Sequence, residues 1–154
     1  LGDIMRCSMS PASFAFSHPV RVYWEDTDAG GVVFYANYLK FLERARTEWL
    51  RARGLEQDEL ARAHGVVFVV RAIAAEYLLP ARFNDAVVAT VESPRIDGAK
   101  LLADQRVLRG ETVLLTARIT AACVNTRTFR AARIPREVAD LLQRLPTDGA
   151  RRNG

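Results

Sequence analysis

The hydrophobic period of this chain changes once in a decisive way. One long stretch carries the helical period, and almost everything after it carries the strand period. Tyr38, Phe41, Leu42, Ala45, Trp49 and Ala52 fall three or four apart, with Lys40, Glu43, Arg44, Arg46, Thr47, Arg51 and Arg53 between them. That spacing predicts an amphipathic helix over 37–53, with Asn37 as a candidate cap and Gly54 as a stop. Before it, Val20, Val22 and Trp24 alternate with Arg21, Tyr23 and Glu25, the pattern of a half-buried strand. After Gly65 come Val66–Leu79, with a bend expected near Ala74, then Ala86–Ser93 interrupted by Pro94, Lys100–Leu108 and Glu111–Val124. A short helix is expected near 56–64 and another around Val138, Leu141, Leu142 and Leu145. Helices and strands do not alternate after residue 65, which excludes a parallel βαβ protein. The expected class is α+β, an antiparallel sheet burying one face against helix 37–53.

Such a sheet has a second face and at least one open edge. Tyr77, Leu79, Val87, Leu102 and Leu115 are too apolar for both faces to meet water, so an oligomer is expected, most simply a dimer joined sheet edge to sheet edge. At 154 residues the chain fits one domain. Residues 1–17 read as a loose lead-in, 18–145 as a single domain and 146–154 as a flexible basic tail.

Composition removes several classes. Two cysteines, Cys7 and Cys123, make no disulfide scaffold, and two histidines leave little for a metal centre. Cys123 follows an apolar alternation and reads as a buried free thiol. The net charge is +4, with 8 basic and 3 acidic residues over 118–154. No interleaving of arginine and aromatic residues marks a nucleic-acid module. No run approaches the ~18 apolar residues of a membrane span. The first residues lack the charged start and apolar run of a signal peptide, and a cytoplasmic protein is expected.

The densest polar cluster is Glu25, Asp26 and Asp28, directly before Gly30-Gly31 and the helix entrance. A carboxylate beside free helix-start N–H groups suits acyl transfer, which needs a base or nucleophile and donors for an oxyanion. The two glycines let a ligand approach the main chain. Read from the residues alone, the cluster is equally a capped turn. The spacing is not that of a calcium loop, and the motifs of serine esterases, zinc peptidases, P-loop enzymes and thiol redox proteins are missing.

The run Val20–Trp49, with Glu25-Asp-Thr-Asp-Ala-Gly-Gly-Val-Val-Phe-Tyr-Ala-Asn-Tyr38 at its centre, resembles the acyl-CoA thioesterases associated with the Tol–Pal system of bacteria. These belong to the wider 4-hydroxybenzoyl-CoA thioesterase family. The likeness continues through Val67–Arg71 and Glu76–Arg82 and weakens over 95–125. The resemblance implies a hotdog fold, a long central helix wrapped by a curved antiparallel sheet of about five strands. It implies hydrolysis of acyl-CoA or acyl-carrier-protein thioesters without a cofactor or metal, in dimers or dimers of dimers with sites between subunits. It places the catalytic aspartate at Asp28, as nucleophile or general base, and the oxyanion donor at the main-chain N–H of Tyr35. Gly30, Gly31, Val33, Phe34 and Tyr38 are the implied groove residues, with Arg95 and Lys100 toward the nucleotide. Tyr35 departs from the Tol–Pal pattern, which has histidine there, whereas the 4-hydroxybenzoyl-CoA branch has tyrosine. The departure leaves the acyl preference open. The rival expectation is a non-catalytic acyl-CoA-binding or scaffold protein of the cell-envelope machinery.

Overall fold

A computed structural model of the chain describes residues 14–144. Cys7 and the tail 146–154 lie outside the described residues. The strands are β1 (Phe14–Arg21), β2 (Val66–Tyr77), β3 (Ala86–Asp97), β4 (Lys100–Arg109) and β5 (Thr112–Asn125). The helices are α1 (Asn37–Ala52), α2 (Gln57–His64) and α3 (Arg136–Gln143), with one 3-10 turn at Trp24–Asp26. The five strands form one antiparallel sheet in the order β1-β3-β4-β5-β2. Helix α1 lies across β1, β3 and β4, the hotdog arrangement that the resemblance implies.

The 3–4 period of α1 becomes its buried face. Tyr38, Phe41, Leu42, Ala45 and Trp49 meet Val20, Val87, Ala89, Val91 and Val107 from the sheet in one core. A polar strut crosses this interface. Gln105, 1% exposed, donates from Nε2 to the carbonyls of Leu42 (3.0 Å) and Thr90 (2.9 Å) and accepts from Arg46 (2.8 Å). Every polar atom of that amide is thereby satisfied by the interface it crosses. Beneath the sheet the Arg106 guanidinium grips the buried carboxylate of Glu92 through Nε and Nη2.

Four expectations are corrected. The lead-in is shorter than 1–17, because β1 begins at Phe14 and runs through Pro19. Here β1 pairs only with β3, and an edge strand tolerates a residue without an N–H donor. Strand β3 likewise crosses Pro94, by a register shift between Glu92 and Arg95 that puts Ser93 at φ +46°. The irregularity of β2 falls between Val70 and Ala72, not at Ala74. Asn37 is not the cap of α1. Ala36 holds that position, and the Asn37 side chain turns back to the preceding loop.

Of the five apolar residues that argued for a covered second face, Val87 and Leu115 are core and Leu102 is half-buried. Tyr77 and Leu79 stay about half exposed, as do Val70 and Ile73 along the open edge strand β2. Cys123 is a buried free thiol, as read, and burial raises its pKa.

Candidate functional site

The acidic cluster divides by role as soon as it folds. Asp26 is 8% exposed, and its Oδ2 accepts the Tyr23 N–H at 2.7 Å, closing the 3-10 turn. Its carbonyl accepts both the Phe34 N–H (2.9 Å) and the Asn37 Nδ2 (2.9 Å). This residue therefore ties the loop to the entrance of α1. Glu25 faces solvent.

Asp28 opens a small hairpin loop between the bridged residues Thr27 and Val33. Its N–H donates to Val32 O (2.9 Å) and its carbonyl accepts the Gly31 N–H (3.0 Å). Its Oδ1 accepts the Gly30 N–H at 2.7 Å, an Asx turn that fixes the carboxylate. Among the described residues Oδ2 has no partner. The carboxylate is exposed, with one oxygen anchored and the other open. Position 31 calls for glycine by a φ of +76°, and at 30 a Cβ would sit 3.1 Å from Asp28 Oδ1, so that the carboxylate would have to give by a few tenths of an ångström.

The loop that follows discriminates among the N–H groups that the resemblance implies. Val33 spends its N–H on Ala81 O (2.8 Å) and Phe34 spends its own on Asp26 O. Among the described residues the Tyr35 N–H has no acceptor. The Tyr35 carbonyl accepts the Tyr77 phenol at 2.8 Å. Tyr35 is 64% exposed; its ring lies tilted against Phe34 (4.7 Å between centroids) and meets Tyr77 edge-on (6.5 Å). Trp24 and Phe83 form a second exposed edge-to-face pair at 5.4 Å.

Two expected groove residues are structural instead. Val33 and Tyr38 are each 3% exposed. The Tyr38 hydroxyl accepts the Ala81 N–H at 2.9 Å, pinning the segment after β2 to α1, and burial raises its pKa. Their place in the sequence motif reflects the core under the loop, not its open side. Arg95 and Lys100 are not brought to Asp28 within one protomer. Ala86 pairs with Arg21 near the Asp28 loop, and Arg95 lies nine residues further along β3, roughly 30 Å at about 3.3 Å per residue. Arg95 contacts Ser93 O and Asp104 there. A cavity of about 760 Å³ lies near that distant end, lined by Ile96, Gly98, Arg133, Pro135, Arg136 and Ala139. Among the described residues no three His, Cys, Asp or Glu side chains gather as a metal site requires. Tyr77 and Asn37 were not singled out as site residues. Nothing in strand periodicity tells a phenol that reaches a carbonyl from one that merely packs.

A sequence model of the thioesterase-like superfamily matches residues 22–142. The chain is 42% identical over 123 residues to the "Acyl-CoA thioesterase YbgC" of Haemophilus influenzae, covering 80% of this chain and 90% of the relative. It is 42% identical over 124 residues to the "Acyl-CoA thioester hydrolase YbgC" of Escherichia coli O6:H1, covering 80% and 92%. Among solved structures, a probable thioesterase from Bartonella henselae superposes with a TM-score of 0.72 at 35% identity, covering 78% of this chain and 99% of that one.

Proposed function

Given that the chain belongs to the thioesterase-like superfamily and hydrolyses acyl-CoA thioesters, we propose that Asp28 is the catalytic carboxylate and the Tyr35 N–H the oxyanion donor. The observation that carries this reading is the shared framework of the two groups. The Asp26 carbonyl holds both the Phe34 N–H and Asn37, so the Asp28 hairpin and the first turn of α1 keep a fixed relation. The open Oδ2 then attacks the thioester carbonyl carbon or takes a proton from the attacking water. In either route negative charge gathers on the carbonyl oxygen before the C–S bond breaks. In the first the acyl group passes to Asp28 as a mixed anhydride that water then hydrolyses to the free acid and the restored carboxylate. In the second the water oxygen becomes part of the acid directly. The departing thiolate takes its proton from water or from the protonated Asp28. A pre-aimed N–H stabilises that charge without reorganising at the moment of reaction. Gly30 and Gly31 leave the main chain open to the thioester, and Phe34, Tyr35 and Tyr77 form an aromatic wall beside it.

The protomers pair through β2, whose exposed Val70, Ile73 and Tyr77 run along the open edge, and such dimers pair again into tetramers. Arg95 and Lys100 serve the nucleotide of a site on another protomer, since within one chain they lie too far from Asp28. No helix of the described residues is long and apolar enough to cross a membrane, and the chain acts in the cytoplasm, where CoA thioesters are made. Thiol release from a chain-length series of acyl-CoAs and from acyl-carrier-protein thioesters identifies the substrate. An Asp28→Ala protein should release thiol on the order of 10²–10⁴-fold more slowly, the usual loss for a missing acid–base group. Near-normal release by that variant would remove Asp28 from the mechanism.

A further inference from the structure

Beyond this reading, and resting on the Tyr35 N–H as oxyanion donor, we infer that Tyr77 is a positioning residue that aims that N–H. Two peptide planes meet at the Tyr35 Cα. In a trans peptide the N–H and C=O point in opposite directions, so whatever holds the carbonyl also aims the N–H. The plane that carries the Tyr35 N–H carries the Phe34 carbonyl, and this accepts the Asn37 N–H at 2.8 Å. The next plane carries the Tyr35 carbonyl, held by the Tyr77 phenol at 2.8 Å.

The N-cap of α1 is Ala36, so the Tyr35 carbonyl falls one residue short of the helix's own hydrogen-bond ladder. Without an outside donor this plane can swing between Tyr35 and Ala36, and because it links the loop to α1 such a swing displaces the Tyr35 Cα and tilts the plane behind it, which then rests on the single Asn37 contact. Asn37 belongs to the same loop-to-helix segment as Tyr35. Tyr77 is different, because it reaches over from the edge strand β2, 42 residues away. With both planes held, the two backbone dihedrals of Tyr35 are set before substrate arrives.

The phenol is itself held. Its ring packs edge-on against Tyr38 (5.5 Å) and Tyr35 (6.5 Å). Burial, then the neighbouring Tyr38 and Tyr35 phenols, raise its pKa from the ordinary 10.0. It therefore keeps its proton, and its ability to donate, throughout the neutral range. Removing the hydroxyl costs little in the ground state, where the thioester carbonyl bears little charge. It costs more in the transition state, where the oxyanion needs an aligned donor. The effect belongs in kcat, not KM.

The test compares Tyr77→Phe with the parent protein on the acyl-CoA hydrolysed fastest in the chain-length series. Phenylalanine keeps the ring contacts and the fold, which circular dichroism checks. The expected result is kcat lower by about tenfold or more with KM within about threefold, a fraction of the 10²–10³ that follows loss of a whole oxyanion donor. A smaller fall in kcat, or a loss carried by KM, overturns the inference. A second measurement reads the donor directly. The same acyl-CoA, labelled with ¹³C at the thioester carbonyl, is bound to Asp28→Asn and to Asp28→Asn with Tyr77→Phe, and its C=O stretch is recorded. The red shift should shrink when the phenol is removed, and an unchanged stretch also overturns the inference. If Asp28→Asn hydrolyses at the parental rate, the underlying reading fails instead. If that variant is inactive while Tyr77→Phe matches the parent protein, the reading stands and the role of Tyr77 falls.

Discussion

At the scale of single residues, the site rests on what two adjacent glycines permit. Gly30 and Gly31 look interchangeable in the sequence but answer to different constraints. Gly31 sits at φ +76° with open space around it, so Gly31→Ala should destabilise the fold by about 1–2 kcal/mol through backbone strain. Gly30 has no such strain, but its Cβ would press on Asp28 Oδ1 at 3.1 Å. Gly30→Ala should therefore leave the urea midpoint nearly unchanged and lower kcat by roughly tenfold, since small misplacements of reacting groups are costly. Equal effects of the two substitutions on stability and on kcat would contradict this division. The cluster from Glu25 to Gly31 was legible because carboxylates, two glycines and a helix start stand together in the sequence, and the choice of Asp28 within it came from the family resemblance alone. Val33 and Tyr38 were misread because the same motif also carries the core residues that fix the loop, and a linear motif does not separate the two faces of a turn. The pairing of the Tyr35 carbonyl with Tyr77 was not legible at all, since it joins residues on two elements whose register only the sheet sets.

Elements were readable where period alone decides them. Helix α1 ends within a residue of its expected span, and β4 and β5 lie where alternation put them. Proline misled at β3, because its effect depends on whether the strand carries a bulge, which is not a local property. Trp49 anchors α1 at 2% exposure, yet its Nε1 is buried without a partner among the described residues. Trp49→Ala should cost about 3–5 kcal/mol in chemical denaturation. Trp49→Phe should cost clearly less, because it removes the orphan donor along with part of the ring. The segment after β2 is held by Asp85, whose Oδ2 accepts from the Arg82 N–H (2.8 Å) and Arg109 (2.7 Å). Burial works against the charged form there, but the Arg82 N–H and the Arg109 guanidinium outweigh it and hold the Asp85 pKa below its ordinary 3.8. A depressed carboxylate stabilises the fold above that value and loses its contribution as pH falls through the lower, folded value. Asp85→Asn should thus lower the urea midpoint at pH 7 and make a shrinking difference below about pH 4, whereas a constant difference at both pH values would exclude the ionic account.

For the whole molecule, α+β class and five antiparallel strands followed from one helical period set among strand periods. Strand order did not, because β2 pairs with β5 across two intervening hairpin strands. That crossing leaves β2 at the edge with Val70 and Ile73 exposed. A lysine at position 73 puts a charge into the proposed subunit contact, so Ile73→Lys should shift the protein toward monomer in sedimentation equilibrium and lower activity with it. An unchanged mass would move the interface elsewhere. One exposed aspartate, fixed by the glycines beside it, is proposed to drive thioester cleavage. The direct measurement is steady-state thiol release by Asp28→Asn beside its Kd for the same acyl-CoA. The account predicts a fall in kcat on the order of 10²–10⁴-fold with affinity little changed. A kcat within about twofold of the parent protein would contradict it.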